Sequence, residues 1–187
     1  MYAQTQIENA GFQKIILVAH SIGGVLAIAL SKLMPSQIKH IVYIGASIPK
    51  EGKSALSTFP LSEKVGIYFM KWGIPIPEKA MDQKLRETLC NDLDEATTLQ
   101  FLKGSKNFEP PSLFLERVSR KGMPDIPCTY IKLLKDKGSY PPSKQDELAA
   151  NIGTGVLTLD SGHTAMLSRP QELAKLLNKI AEETTVN

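Results

Sequence analysis

The chain has 187 residues, of which 42% are hydrophobic and 22% charged, so it can form one domain of ordinary size with room for an inserted segment. The net charge is +3, and the basic residues are spread along the chain. A nucleic-acid-binding domain usually carries a basic stripe, so this pattern excludes that class of function.

The first part of the chain predicts a strand, a helix and a second strand. Residues 14–20 (KIILVAH) form a short apolar run rich in β-branched side chains, and both faces of this strand look buried, as in a parallel sheet. Residues 23–34 have the apolar spacing of a helix, which stops at Pro35. Residues 38–47 predict a second buried strand.

Residues 48–125 have a different sequence pattern, in which prolines recur and no strand is predicted as strongly as the first two. Helices broken by proline are more typical of a small cap than of a sheet. The amphipathic stretches between the prolines are 62–72, 78–89, 94–102 and 112–120.

The alternation of strands and helices returns after residue 125. Strands are predicted at 128–134 and 155–159, and helices at 143–152 and 168–183. The first residue of each helix is a serine, which is a candidate N-cap. Strands that alternate with helices imply a parallel sheet with right-handed crossovers.

We therefore predict an α/β fold in three parts. Residues 1–47 form the first part of the core, residues 48–125 a helical cap, and residues 126–187 the second part of the core. The parallel sheet has about four strands and is flanked by helices.

Ser21 lies where the first predicted strand meets the first helix. In a nucleophile elbow, the serine occupies a strained, tight turn that lifts its Oγ above the sheet. Strand and helix cross closely there, so the residues two before and two after must be small. They are Ala19 and Gly23, and Gly24 adds further room. The usual G-x-S-x-G pattern has a glycine in place of Ala19, and a serine that only caps the helix is the alternative interpretation.

The helix that begins after Ser21 presents free backbone N–H groups and the positive end of its dipole. The Ile22 N–H is therefore a candidate oxyanion donor.

A serine hydroxyl needs a base within hydrogen-bond reach, and the chain has three histidines. His20 directly precedes Ser21 on a strand and should point away from it. His40 starts the second strand, as a structural or surface residue. His163 follows the last strand in a loop at the carboxyl edge of the sheet, where such folds place reactive groups. We predict His163 as the base, with an ordinary polar loop residue as the alternative.

The imidazole needs an acceptor on its other nitrogen. Asp136 directly follows the third strand, so its carboxylate can face the loop of His163. Asp160 is still close to its own strand, Asp146 is on a helix, and Asp125 lies at the wrong end of the sheet. We predict Asp136 as the acid, with a solvated turn residue as the alternative.

The order Ser21, Asp136, His163 is that of α/β-hydrolases, and the chain resembles that superfamily. The likeness is closest to its branch of plant-type methyl esterases and hydroxynitrile lyases. The segments that carry it are LVAHSIGG, IKLLKDKGSYPPSKQDELAANIG and SGHTAMLSRPQEL. The resemblance implies Ser21 as nucleophile, Asp136 as acid and His163 as base.

The resemblance also implies that part of the fold is absent. Family members have roughly four more strands before this point, and a His-Gly loop that gives a second oxyanion N–H. This chain would keep only strands 5 to 8 of that sheet, and strand 14–20 would lie at an edge. An uncovered apolar edge strand favours association, so we expect another segment to cover it or a homodimer to form through it.

The resemblance implies hydrolysis of small carboxylic esters, such as methyl esters, in an apolar pocket. Hydroxynitrile lyases of this branch have a lysine after the catalytic histidine, and this chain has Thr164, which argues against C–C cleavage. A non-catalytic ligand-binding or interaction module and a lyase remain the alternatives. Aromatic candidates for the pocket, each equally explained by packing, are Phe59, Tyr68, Phe69, Trp72 and Phe101.

The sequence predicts few other partners. Cys90 and Cys128 form no metal or disulfide pattern, and we interpret them as inert thiols. No secretory leader and no apolar run of about 18–20 residues are seen, so we expect a cytoplasmic protein without a membrane partner. We expect no cofactor and no metal.

Overall fold

The computed structural model describes residues 2–74, 76–105, 110–138 and 140–186. Its centre is a four-stranded sheet in the order β1-β2-β3-β4, and every strand pair is parallel. The predicted parallel sheet is therefore confirmed. The strands are β1 (Ile15–His20), β2 (Ile38–Ile44), β3 (Cys128–Leu133) and β4 (Gly155–Leu159).

Helices connect the strands, and those predicted at 23–34, 62–72, 78–89 and 94–102 are confirmed within two residues at each end. A short 3₁₀ helix occupies Ala55–Thr58. No helix in the described ranges is both long and apolar enough to cross a membrane. The helices are α1 (Tyr2–Asn9), α2 (Gly23–Leu33), α3 (Leu61–Lys71), α4 (Glu78–Thr88), α5 (Glu95–Gly104), α6 (Pro111–Leu115), α7 (Pro142–Ala150), α8 (Ala165–Ser168) and α9 (Pro170–Val186).

Two clusters of buried apolar side chains cover the two faces of the sheet. Alternate residues of β2 belong to different clusters, because successive side chains of a strand point to opposite faces. Ile41 and Tyr43 pack with residues of α2 and α7, and Val42 and Ile44 pack with residues of α9. Apolar residues on one side of α9 pack in the second cluster. They are Leu173, Leu176, Leu177 and Ile180.

The helix predicted at 112–120 is wrong beyond Leu115. Glu116 has extended backbone angles, and Arg117 forms an antiparallel bridge with Ser54. The Val118 N–H donates to the Lys53 carbonyl at 3.0 Å. The backbone groups of this segment are thus bonded to a distant part of the chain instead of to a helical turn.

Both serine N-caps are also wrong. α7 begins at Pro142 after Pro141, so Ser143 lies inside the helix. Ser168 is the last residue of α8, and α9 begins at Pro170. Proline fits the first helical position because it lacks an N–H and has a helical φ, so the prolines set these starts.

The predicted burial of both faces of the first strand is only partly confirmed. β1 bonds to β2 along one edge, and the part of the chain that the structure describes puts no strand on its other edge. Ala19 is buried, but Val18 is 45% exposed. Val18 lies on the α9 side of the sheet, where the apolar cluster centres on β2 to β4. The division of the chain at residues 47 and 125 and the role of 48–125 as a cap stay predictions.

Candidate active site

Ser21 occupies a strained turn between β1 and α2. Its φ is +52°, the left-handed region that side chains rarely adopt, and no other described residue except glycine has a positive φ. The Ser21 N–H donates to the Ile44 carbonyl at 3.2 Å, and the Ser47 N–H donates to the Ser21 carbonyl at 2.8 Å. Such a conformation costs about 1–3 kcal/mol, so it needs the support that these two bonds to the end of β2 provide.

The small residues around Ser21 do not all serve the purpose that we predicted. A Cβ placed on Gly24 would lie 2.3 Å from the Ser47 carbonyl oxygen, whereas a Cβ on Gly23 would meet nothing within 4 Å. The expectation that close packing requires a small residue at Gly23 is therefore wrong for this structure. Position 24 of α2 faces the segment that follows β2, so Gly24 is the residue at which the helix crosses this segment.

His163 lies between Ser21 and Asp136. The distance from His163 Nε2 to Ser21 Oγ is 2.9 Å, and from His163 Nδ1 to Asp136 Oδ2 it is 2.8 Å. A carboxylate accepts, so Nδ1 carries the proton and Nε2 is free to accept from the serine hydroxyl. The structure therefore brings together all three residues that we predicted, in the arrangement that activates a serine.

Further hydrogen bonds hold the Asp136 carboxylate, whose side chain is 0% exposed. The Gly138 N–H donates to its Oδ1 at 2.7 Å, and the Gln145 amide donates to its Oδ2 at 3.3 Å. A buried carboxylate needs such donors. Gln145 is itself buried, and it also accepts from the Leu133 N–H at 2.8 Å. We did not predict a role for Gln145. The sequence feature that could have indicated it is a polar residue in a helix that packs on the sheet.

Two of the other candidate acids form ion pairs elsewhere. Asp160 pairs with Lys135 at 2.6 Å, and Asp146 pairs with Lys132 at 2.6 Å, with both carboxylates largely exposed.

His20 contacts the site, although we expected it to point away from Ser21. Its Nε2–H donates to the His163 carbonyl at 2.9 Å, and the two ring centroids are 4.7 Å apart. Burial, and then the charge on His163, lower the pKa of His20 from 6.5 to about 4. His20 is therefore neutral at pH 7 and supports the loop of the candidate base. His40 is half-buried and bonds to Thr129 at 2.9 Å, as expected for a structural residue.

The Ile22 N–H lies at the start of α2, directly after Ser21. Ile22 has helical backbone angles, and in the described part of the chain no backbone acceptor bonds to its N–H. A free N–H directly after Ser21 can stabilise an oxyanion if this serine attacks a carbonyl. Its role stays a prediction.

A cavity of about 500 Å³ opens onto Ser21 and His163. Of the five aromatic candidates, Phe59 and Phe101 line it, whereas Tyr68, Phe69 and Trp72 are 39%, 41% and 67% exposed. Its other walls are mostly apolar, and the residues that we missed are Leu26, Leu89, Leu113, Phe114, Tyr140 and Met166.

Neither cysteine enters this site. Both thiols are free, and burial raises the pKa of each, that of Cys128 to about 11. Within the described ranges, no three His, Cys, Asp or Glu side chains are grouped so that they could hold a metal ion.

The sequence model of the alpha/beta hydrolase family matches residues 2–176. The chain belongs to this family. Its curated relatives place it in the branch of the plant methylesterases: methylesterase 18 of Arabidopsis thaliana is 31% identical over 90% of this chain and 71% of its own length. A second relative from that plant, "putative methylesterase 15, chloroplastic", is 28% identical over 91% of this chain and 41% of its own length.

A solved structure of this family has the same fold. It is an extracellular α/β-hydrolase from a Paenibacillus species, described as homologous in structure and function to tobacco salicylic acid binding protein 2. It superposes with a TM-score of 0.82 at 24% identity, over 94% of this chain and 75% of that one. The chain thus spans less than half of the first curated relative and about three quarters of this structure.

Proposed function

We propose that this chain is a serine hydrolase of small carboxylic esters that works through an acyl-enzyme. The observation that carries the proposal is the hydrogen-bonded series from Ser21 Oγ through His163 to Asp136, at 2.9 and 2.8 Å. The series faces an apolar cavity at the start of a helix. Membership in a family with methylesterase relatives supports it.

The reaction has two halves. Ser21 Oγ attacks the ester carbonyl while His163 Nε2 takes the hydroxyl proton, and Asp136 stabilises the imidazolium through Nδ1–H. The tetrahedral intermediate collapses, the C–O bond to the alcohol breaks, and His163 gives its proton to the alcohol. Water then attacks the acyl-enzyme with His163 as base, which releases the acid and restores Ser21.

The oxyanion site limits the expected rate. The Ile22 N–H is one candidate donor, and the family resemblance implies a second donor in a His-Gly loop. Loss of one donor costs about 10²–10³ in kcat in other serine hydrolases. A site that has Ile22 as its one donor should therefore turn over esters slowly.

The cavity supports an apolar acyl or alcohol group of modest size. Its volume of about 500 Å³ lies in the range typical of small-molecule sites. The residue after His163 is Thr164, whose hydroxyl donates to the Leu89 carbonyl at 2.8 Å. The side chain at this position therefore offers no cation for a cyanohydrin, which favours ester hydrolysis over C–C cleavage.

The test is hydrolysis of p-nitrophenyl acetate and butyrate by the chain and by Ser21→Ala. We expect turnover that Ser21→Ala abolishes, and covalent labelling of Ser21 by a fluorophosphonate. No Ser21-dependent turnover and no labelling would contradict the proposal. Tight ligand binding that survives Ser21→Ala would favour a binding module, and cyanide release from a cyanohydrin would favour a lyase.

We also propose that the chain forms a homodimer through β1. The outer edge of this apolar strand carries no charged side chain between Ile15 and His20, and Val18 is 45% exposed. Edges without charge favour pairing with another strand. Light scattering should find a dimer for the wild type and a monomer for Val18→Lys. A monomeric wild type would refute this proposal.

A further inference from the structure

Residues 89–92, in the turn between α4 and α5, contact both loops of the proposed active site. The Gly162 N–H, directly before His163, donates to Asp92 Oδ2 at 2.6 Å. The Thr164 hydroxyl, directly after His163, donates to the Leu89 carbonyl at 2.8 Å. The turn therefore bonds to the residue before and the residue after the candidate base, His163.

The same turn reaches the loop of the candidate acid. The Asn91 side-chain amide donates to the carbonyl of Lys135 at 2.9 Å, directly before Asp136. Lys135 in turn donates its N–H to the Ser161 carbonyl at 2.9 Å, which joins the two loops to each other. Residues 89–92 thus bond to the neighbours of both His163 and Asp136.

The contact with Gly162 leaves no space for a side chain. A Cβ on Gly162 would lie 2.3 Å from Asp92 Oδ1 and 2.9 Å from Asn91 Oδ1. The backbone of the loop thus packs directly against these side chains. The bond from an amide to a carboxylate is charge-assisted, which makes it stronger than a bond between neutral groups.

We propose that Asp92 is a positioning residue for His163, and that residues 89–92 hold the base and the acid in register with Ser21. The proposal rests on the proposed function. It follows because a displacement of about 1 Å in a catalytic group can cost about 10²-fold in rate. Asp92 touches no reacting atom; it acts through the Gly162 N–H.

The test compares Asp92→Ala with Asp92→Asn. The asparagine keeps an oxygen that accepts from Gly162, and the alanine does not. Turnover of p-nitrophenyl acetate is measured per Ser21 titrated by the fluorophosphonate, so that unfolded molecules do not count. We expect Asp92→Ala to lower kcat by about 10–100-fold with little change in KM, and Asp92→Asn to restore most of the loss.

The matched control is Asp94→Ala. Asp94 caps α5 by accepting from the Thr97 N–H at 2.8 Å, and no hydrogen bond of its side chain reaches the two active-site loops within the described ranges. This variant should lower stability by the loss of a cap and keep kcat per titrated Ser21. An equal loss of kcat in Asp94→Ala and Asp92→Ala would overturn the proposal, because it would assign the effect to the stability of α5.

Hydrogen exchange separates this proposal from the proposed function. Exchange at residues 161–164 should rise about tenfold in Asp92→Ala, with little change in Asp92→Asn or in β2. Unchanged exchange in Asp92→Ala would refute the positioning role even if the wild type is active. A wild type that neither turns over esters nor reacts with the fluorophosphonate would refute the esterase proposal, and the same exchange measurement would still decide whether Asp92 holds the loop.

Discussion

Gly24→Ala tests the crossing of α2 over the end of β2. The new Cβ would lie 2.3 Å from the Ser47 carbonyl oxygen, where ordinary contact begins at 3.4 Å. The obstacle is backbone, so it cannot rotate aside, and the helix and the Ser47 segment must separate by about 1 Å. Ser47 also donates its N–H to the Ser21 carbonyl, so the separation disturbs the turn at Ser21.

The expected loss of stability follows from two opposing terms. Overpacking against an unyielding neighbour costs about 3 kcal/mol, and replacing glycine by alanine in a helix returns at most about 1 kcal/mol. The net loss is about 2 kcal/mol, which lowers Tm by about 4–8 °C for a domain of this size. Activity should fall by about 10²-fold, because Ser21 loses its alignment with His163.

The neighbouring glycine provides the control for stability. A Cβ on Gly23 meets nothing within 4 Å, so Gly23→Ala should leave Tm unchanged or raise it slightly. Differential scanning calorimetry of both variants gives the comparison. Equal Tm values for Gly24→Ala and Gly23→Ala would refute the crossing argument, and a loss confined to Gly23→Ala would restore the original expectation from the sequence.

Three further changes test the surroundings of the site. Asp136→Asn should lower kcat/KM by about 10⁴-fold because it favours the wrong tautomer of His163, whereas Asp160→Asn, on an exposed ion pair, should change it little in the same ester assay. The pKa of His20 is about 4 in the folded protein and 6.5 in the unfolded chain. As the pH falls from 6.5 to 4, the unfolded chain takes up a proton on His20 and the folded protein does not, so the free energy of unfolding falls. His20→Asn should reduce that fall by about 3 kcal/mol in urea titrations, and an unchanged pH dependence would contradict the stated cause. Gln145→Leu should lower the free energy of unfolding by about 3 kcal/mol, because buried backbone groups and the Asp136 carboxylate lose their hydrogen-bond partner. An unchanged urea midpoint would show that water replaces the Gln145 amide.

The sequence predicted the sheet because apolar, β-branched runs are local signals. Each of the four predicted strands overlaps an observed one, and the helices that follow β1 and β3, α2 and α7, were expected. The 3₁₀ helix after β2 and the short helix α8 after β4 were not. The helix starts were less accurate. Both segments, 141–143 and 168–170, contain a serine and a proline within three residues, and only the backbone conformation decides which residue begins the helix.

Chain order also predicted the candidate triad before its geometry was known. Ser21, Asp136 and His163 each follow a strand, and the carboxyl ends of parallel strands meet at one edge of a sheet. The parallel pairing therefore places the three loops at the same edge of the sheet. This inference required only the types of the elements and their order.

The tertiary structure alone decided what surrounds Ser21, the residue on which the candidate site depends. It showed that Gly24 and not Gly23 lies at the crossing, that His20 bonds to the loop of His163, and that Asp92 bonds to Gly162. Asp92 and Gly162 are 70 positions apart, and His20 and His163 are 143 apart. Periodicity and motifs describe residues within a few turns of each other, so contacts of this range depend on how the packed elements meet.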